Sequence, residues 1–283
     1  MANQNSVLEK GSRTGNFVVF GALVFIGVVM ILPLLYMLST ALKSNTEIYV
    51  FPATMIPRNI KWNNFIHVFS EITLLSFLKN SLTVSLFTTI GTTLSSSLVA
   101  YGFARYKARF KNVLFVIIIS TLLLPLPALI IPQFLIFRLF GWVDTFLPLI
   151  VPAFFGSAYN IFLLRQFFSS LPNDLFEAAR VDGSSEIRTW WKIGLPLCKS
   201  ALATVAVFQF IWSWNDLFSP AIFLNSPEKF TMPIGMASLF SPMSKVPWNT
   251  IMVGNFYAIL PLVVLFIYAQ KYFVEGIAIS GLK

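Results

Sequence analysis

The sequence has 283 residues, of which 57% are hydrophobic and only 11% are charged. Soluble domains carry roughly 25% charged residues, so this composition excludes both a soluble globular protein and a disordered chain. The formal net charge of +9 would suggest nucleic-acid binding in a soluble protein. In a membrane protein basic residues instead mark the cytoplasmic loops, so we expect the lipid bilayer and no nucleic acid as a partner. A single Cys and a single His exclude an internal disulfide and a Cys/His metal site.

Six segments are apolar over the roughly 20 residues that a membrane-spanning helix needs. We predict an all-α membrane protein with one domain, residues 1–283, and spans near 17–41, 80–103, 113–136, 146–168, 200–222 and 251–273. The apolar core of a secretory signal has roughly 7–15 residues. The first segment is longer and leads into no convincing cleavage site, so we interpret it as a retained helix.

Basic residues predict the orientation of these spans. If the N terminus lies inside, thirteen of the 20 Lys and Arg residues fall on the inner side, and such an excess marks the cytoplasm. The segment 104–112 is the most asymmetric, since it holds Arg105, Lys107, Arg109 and Lys111 and no acidic residue. Both termini are therefore predicted to be cytoplasmic.

Two long outer loops follow from this orientation. The first, near 43–79, contains an apolar run from Trp62 to Phe69, which predicts a short helix in the membrane interface. The second, near 223–250, contains four prolines and is predicted to form turns and loop. Small polar residues in the second span favour close helix packing, although a polar pathway would show the same pattern.

A polar insert near 169–199 separates the fourth and fifth spans. Asp174 is predicted to cap a new helix, and Glu177 three residues later completes a capping box. Gly183 is placed to end that helix, because glycine adopts the left-handed conformation at low cost. Ala178 and Ala179 give the helix a small, smooth side that suits a groove on a partner protein.

A second helix is predicted to follow the glycine. Ser184 or Ser185 can cap it, and it runs through Trp190 and Trp191 until 194–196, Gly-Leu-Pro, ends it before the fifth span. The insert is therefore predicted to be a helix, a glycine turn and a second helix on the cytoplasmic face.

The insert resembles the EAA loop of the permease subunits of binding-protein-dependent ABC importers. The matching residues are Glu177, Ala178, Ala179, Gly183, Ile193, Leu195 and Pro196. Asp182 and the run from Trp214 to Pro220 are similar to the carbohydrate-uptake branch, which more often has Glu at the position of Asp216. With six spans and a glycine-containing tail from Gly276 to Lys283, the resemblance to a maltose-type subunit covers nearly the whole chain.

The resemblance implies a transport subunit of a bacterial plasma membrane without ATPase activity. Its EAA loop would be a coupling helix that docks on a dimer of ATP-binding subunits, and those subunits would bind ATP and Mg. The coupling residues would be Glu177, Ala178, Ala179, Asp182, Gly183, Ile193, Leu195 and Pro196. A second permease subunit and an extracytoplasmic sugar-binding protein are the other implied partners. In agreement, the sequence contains no phosphate-binding G-x-x-x-x-G-K-[ST] loop.

Polar groups within the spans are candidates for substrate contact, because ionisable groups in a membrane are costly. The candidates are Trp214, Asn215 and Asp216 in the fifth span, Tyr159 and Asn160 in the fourth, and Gln133 in the third. Asp216 can equally lie near the outer interface with the tryptophans in the aromatic belt. The other candidates can equally be hydrogen bonds between helices.

Four functions compete at this point. The main prediction is an ATP-driven importer of a sugar or oligosaccharide, with a polyol or a glycerol phosphate as the alternative solute. A secondary transporter would need coupling-ion sites, often built from repeats, and no clear internal repeat is visible. An enzyme would need a cluster of catalytic groups, and a channel would need a filter loop or a ring of acidic residues; the sequence shows neither.

Overall fold

The computed structural model describes residues 13–241 and 245–280, and the first twelve residues and the end of the predicted tail lie outside them. All regular elements in this part of the chain are helices. The α-helices are α1 (Arg13–Ala41), α2 (Asn45–Ile48), α3 (Asn64–Glu71), α4 (Leu74–Arg105), α5 (Lys111–Ser120), α6 (Leu126–Leu139), α7 (Leu147–Ile150), α8 (Ala158–Ser170), α9 (Asp174–Val181), α10 (Glu186–Thr189), α11 (Leu195–Leu197), α12 (Lys199–Trp214), α13 (Phe218–Phe223), α14 (Met232–Ser238) and α15 (Trp248–Ser280). The predicted all-α class is confirmed.

Four helical segments in the described residues are each long and apolar enough to cross a membrane: Phe17–Ala41, Leu74–Arg105, Leu147–Ser170 and Trp248–Gln270. Two bent pairs, Lys111–Leu123 with Pro127–Leu139 and Glu186–Leu197 with Lys199–Trp214, raise the number to six if each pair forms one span. The first pair bends beside Pro125, which has no N–H to continue the helix. A count of six spans is consistent with this structure.

The predicted fifth span was wrong at its C-terminal end. It was expected near 200–222, but α12 ends at Trp214 and a separate helix, α13, begins at Phe218. Asn215 Nδ2 donates to the Ile211 carbonyl at 2.8 Å, and Asp216 Oδ1 accepts the Ser219 N–H at 3.0 Å. The Ile211 carbonyl also accepts the Asn215 N–H at 3.1 Å, so the bond that replaces a missing backbone partner is the one from the Ser219 N–H to Asp216.

The chain divides into two compact units, one up to Ile72 together with Lys245–Phe256, the other from Thr73 to Ser244 together with the chain from Tyr257. In the first unit, α3 forms where a short interfacial helix was predicted, and His67 on it is exposed. Asn64 Nδ2 donates to the carbonyls of Ala41 and Lys43 at 2.8 and 2.9 Å. These bonds satisfy carbonyl groups left free at the end of α1.

The second unit is built around α4, which packs against α8 and α12. Small polar side chains on α4 make hydrogen bonds to other elements. Ser81 Oγ accepts the Met232 N–H at 2.6 Å, Thr88 Oγ1 lies 3.0 Å from Ser213 Oγ, and Ser96 Oγ accepts the Ser157 N–H at 3.0 Å. At these positions the small polar residues therefore hold helices together.

The segment near 223–250, predicted to form turns and loop, contains the helix α14 and a 3-10 turn at Pro227–Lys229. Asp144 fixes the start of this segment. Its carboxylate accepts the N–H groups of Asn225 and Ser226 and lies 2.8 Å from Lys229 Nζ. The hydrogen bond from Lys229, followed by those from Ser226 and Asn225, lowers the pKa of Asp144 below its usual value.

Gly235 allows α14 to approach α4 closely. A Cβ at this position would lie 2.5 to 2.6 Å from the ring of Phe77, which is itself buried. We predict that Gly235→Ala destabilises the protein, because overpacking costs roughly 1–3 kcal/mol. Gly102→Ala is the matched control, since its Cβ would meet nothing within 4 Å and helix propensity favours Ala by about 1 kcal/mol. Thermal unfolding in detergent measures both variants, and equal midpoints would contradict the close approach.

Candidate functional site

The predicted glycine turn is present after α9. Gly183 has φ +74°, the left-handed conformation that glycine adopts readily. The Ser184 N–H donates to the Ala179 carbonyl at 2.9 Å, and the Gly183 N–H donates to the Arg180 carbonyl at 3.0 Å. This pair of bonds is a Schellman motif, which satisfies the carbonyls at the end of the helix.

The start of α9 differs from the prediction. Asp174 was expected to cap the helix and Glu177 to complete a capping box, but Asp174 is the first helical residue and no side chain caps this end. Asn173, the residue before it, directs its Oδ1 to Arg105 Nη1 at 2.6 Å. Because the Asn173 side chain binds Arg105, it does not cap the start of α9.

The second helix of the insert is capped by Ser185, whose Oγ accepts the Arg188 N–H at 3.4 Å. The prediction that 194–196 ends this helix was wrong. Trp190–Gly194 is a π-helical segment, and α11 follows it directly. The helical backbone therefore continues to Leu197 and ends at Cys198. Pro196 lies within this continuous helical stretch, in α11 directly after the π-helical segment. The chain then turns by 84° into α12.

The coupling segment, which we define as residues 174–197, is held to the bundle through one side of α9. Phe176 is 3% exposed and belongs to a core cluster with Tyr101, Phe168 and Trp190. Ala179 is also buried, and Ile193 and Leu195 pack against the same cluster. Burial of a large aromatic side chain stabilises by roughly 1.5–3 kcal/mol, so this side of α9 is an anchor.

The other side of α9 is exposed. Val181 is 88% exposed and Leu175 is 44% exposed, and Glu177, Ala178 and Asp182 are exposed as well. Arg180 forms an ion pair with Glu186 at 2.9 Å that joins α9 to α10. The hydrogen bond that Arg180 donates to the Glu186 carboxylate raises the pKa of Arg180. Polar residues surround the exposed apolar residues Ala178 and Val181, which we call the apolar tip of α9.

Arg105, the last residue of α4, joins this segment to the membrane helices. Its guanidinium donates to the carbonyls of Phe168 and Leu171 at the end of α8, the latter at 2.9 Å, as well as to Asn173. Its Cζ lies 3.9 Å from the centre of the Phe176 ring. A planar guanidinium can bind several acceptors and stack on an aromatic ring together, which an ammonium cannot do.

The sequence assigned Arg105 only to the basic inner loop. Its position at the end of a span gave no indication that its partners lie 63 to 68 residues away. A cavity of about 310 Å³ beside it is lined by Arg105, Tyr106, Lys107, Asn173, Phe176, Glu177 and Arg180. Glu177, a predicted coupling residue, therefore lines the same cavity as the basic residues Arg105, Lys107 and Arg180.

The candidates for substrate contact from the fifth span lie at its break. Trp214 is buried, stacks on Phe210 and donates its Nε1–H to the Ala258 carbonyl at 3.1 Å. Asn215 is exposed and Asp216 is partly buried. Asp216 was predicted either within the fifth span or near the interface at its end, and it lies in the turn between α12 and α13, where it binds the backbone of Ser219.

The remaining candidates are separate from this turn in their contacts. Asn160 on α8 is buried, and its Nδ2 lies 3.5 Å from Gln209 Oε1 on α12, a residue that the sequence analysis missed. Tyr159 is exposed on the same helix, and Gln133 is partly buried on α6. Among the described residues, no hydrogen bond joins any two of the six candidates.

A family model for the binding-protein-dependent transport system inner membrane component matches residues 91–278. The chain belongs to this permease family. The EAA motif and the coupling helix that the sequence predicted are features of the family, and the predicted function as an ABC importer permease is confirmed. The family favours this function over the secondary-transporter alternative.

Two relatives cover nearly the whole permease. AraQ of Halalkalibacterium halodurans, an arabinooligosaccharides transport system permease protein, is 33% identical over 262 residues, 92% of this chain and 93% of AraQ. UgpE of Yersinia enterocolitica, an sn-glycerol-3-phosphate transport system permease protein, is 31% identical over 279 residues, 95% of this chain and 98% of UgpE.

A solved structure has the same fold. It is a chain of a bacterial ABC transporter involved in the import of the acidic polysaccharide alginate, with a TM-score of 0.81 and 23% identity, covering 93% of this chain and 99% of that one.

We predict that Arg105→Lys loosens the attachment of the coupling segment. The substitution keeps the charge but removes the fork of donors, and a hydrogen bond to a charged group contributes about 1.5–3 kcal/mol. Arg109→Lys is the matched control, because Arg109 is exposed on the loop that follows α4. Limited proteolysis of residues 172–185 and the unfolding midpoint in detergent measure the effect. Identical behaviour of the two variants would contradict the role of Arg105.

Proposed function

We propose that this permease imports a sugar or oligosaccharide that an extracytoplasmic binding protein delivers, driven by ATP hydrolysis in partner subunits. The observation that carries the proposal is the exposed apolar tip of α9, which is fixed to the bundle through Phe176 and Arg105. A helix of eight residues is marginal by itself. Its anchored side makes it a rigid element on which a partner can act.

The partner at this tip is proposed to be an ATP-binding subunit, and a dimer of such subunits would bind the ATP and Mg. Ala178 and Val181 are small, exposed and apolar, and they suit insertion into a groove. Ala179 is buried, so we assign it to the packing of α9 and assign the docking contact to Ala178, Val181 and the neighbouring Glu177. Movement of the docked helix would pass through Arg105 to α4 and α8.

The second permease subunit is proposed to pair with this chain through its exposed apolar helices. Within the described residues, the most apolar stretch of α1 contains no buried residue. The basic segment 104–112 supports a cytoplasmic position for the loop between α4 and α5. The hydrogen bonds of Arg105 hold the coupling segment at the same end of α4, so both would face the ATPase and both termini would be cytoplasmic.

The proposed solute class rests on the similarity to AraQ and on the carbohydrate-type run after Trp214. A glycerol phosphate is the second candidate, because UgpE is similar over 95% of the chain. Trp214, Asn215, Asp216, Tyr159, Asn160 and Gln133 remain the proposed contacts, with Asn160 and Trp214 partly occupied by bonds to other helices.

The docking proposal predicts a selective effect of Val181→Asp. Val181 is 88% exposed, so the variant should fold and insert normally. A charge without a partner in an apolar interface is strongly unfavourable, so recovery of the ATP-binding subunit by affinity purification should fall by about tenfold or more. Val181→Thr, which has nearly the same shape without charge, should retain the subunit.

Two outcomes of this purification would contradict the proposal. A wild-type chain that elutes intact without an ATP-binding subunit and a second permease would contradict the proposed partners. Equal recovery of the ATP-binding subunit with both Val181 variants would place docking elsewhere.

Uptake into vesicles tests the solute. With the complete importer, its binding protein and ATP on the cytoplasmic side, we expect uptake of a labelled arabino-oligosaccharide, and no uptake when ATP is withheld. Uptake of labelled sn-glycerol 3-phosphate in its place would favour the second candidate. Uptake of either solute under a proton gradient without ATP would contradict ATP-driven import.

A further inference from the structure

A second concave site lies at the short loop between α4 and α5 and the first turn of α5, outside the coupling segment. It is a cavity of about 420 Å³ lined by Lys107, Ala108, Arg109, Lys111, Asn112 and Val113. Three of these six residues are basic and none is acidic. In the proposed function these three basic side chains mark the cytoplasmic side of the membrane, and no binding contact is assigned to them.

The three cations have no acidic partner within the described residues, where the ion pairs are Arg180–Glu186 and Lys229–Asp144. Lys107, Arg109 and Lys111 are all exposed. Lys111 Nζ donates to the Tyr106 carbonyl at 2.9 Å, which holds its charge next to the loop. Like charges at short distance repel one another, so an anion that lies between them would be stabilised.

The position of the loop indicates where that anion comes from. Only five residues separate α4 from α5, and both helices are parts of candidate membrane spans, so the loop lies at a membrane surface. Val113, which lines the cavity, and Phe110 and Leu114, which are adjacent to lining residues in the sequence, are large, apolar and exposed. Basic residues next to exposed aromatic and aliphatic side chains are typical of sites that bind lipid headgroups at the interface.

We propose that Lys107, Arg109 and Lys111 bind the phosphate group of an anionic phospholipid. Phe110 and Val113 contact the glycerol and acyl region of the same lipid. A soluble phosphate ester has the same headgroup chemistry, but it would leave these apolar side chains in water. The lipid accounts for both the charged and the apolar part of the site.

Lipid retention tests the proposal on the full chain, purified with its partner subunits in mild detergent. The sample is exposed to equal amounts of dioleoyl phosphatidylglycerol and dioleoyl phosphatidylcholine, passed through gel filtration, and its retained lipid is quantified by mass spectrometry. Each basic residue near the surface contributes to attraction of anionic lipid, so we expect wild type to prefer phosphatidylglycerol by about tenfold. The variant K107Q/R109Q/K111Q should retain the two lipids almost equally.

The matched control is R58Q/K61Q/K79Q, which also removes one Arg and two Lys from exposed positions, and it should keep the wild-type preference. A variant with Lys107→Arg, Arg109→Lys and Lys111→Arg keeps the charges that orient the chain in the membrane, and it should also keep the preference. Washing wild type with ~1 M sodium chloride, where the screening length is about 3 Å, should abolish it.

Three results would overturn the proposal. The first is equal retention of both lipids by wild type. The second is an unchanged preference in K107Q/R109Q/K111Q, or in wild type at high salt if that variant does not insert. The third is displacement of phosphatidylglycerol by inorganic phosphate but not by chloride of equal ionic strength, which would make the site one for a soluble anion.

Discussion

Close packing of α4 against its neighbours is the constraint on which the structure from Thr73 onward depends. Apolar side chains gain little from contacting one another in lipid, so helix association requires small residues and hydrogen bonds between helices. Three such small residues on α4 are Ser81, Thr88 and Ser96. Their side chains form hydrogen bonds with Met232, Ser213 and Ser157, respectively. The same small side chains would be poorly suited to a lipid-facing surface, which explains why they concentrate on this central helix.

Arg105 extends this central helix into the coupling segment. The last carbonyls of α8 have no partner within their own helix, and the guanidinium of Arg105 satisfies those of Phe168 and Leu171. Arg105 also binds Asn173 and contacts the ring of Phe176, so it connects α9 to the ends of α4 and α8. In the proposed function, a force applied to α9 would therefore reach two membrane helices at their ends. The Asn173 side chain, bound to Arg105, makes no cap bond to the start of α9.

The two ends of the second unit use charge differently. At one end, Asp144 accepts bonds from two backbone N–H groups and from Lys229 and fixes the segment after α13. At the other end, Lys107, Arg109 and Lys111 have no such carboxylate among the described residues. The paired charges organise the chain itself, whereas the unpaired charges are available to the membrane and its lipids. Charge that sequence reasoning treats only as a sign of orientation thus has a further structural consequence.

The sequence by itself determined the membrane class, the family and, within the coupling segment, the glycine turn and the serine cap that follows it. These features depend on composition or on residues within one helical turn, as with the left-handed Gly183 and the Ser185 cap. Tertiary structure decided the rest. The break after Trp214, the helix α14 and the capture of Asn173 by Arg105 each depend on partners that are distant in sequence. Hydrogen bonds over 63 to 68 residues have no local periodicity or spacing, because only the packing of α4 against α8 brings those groups together.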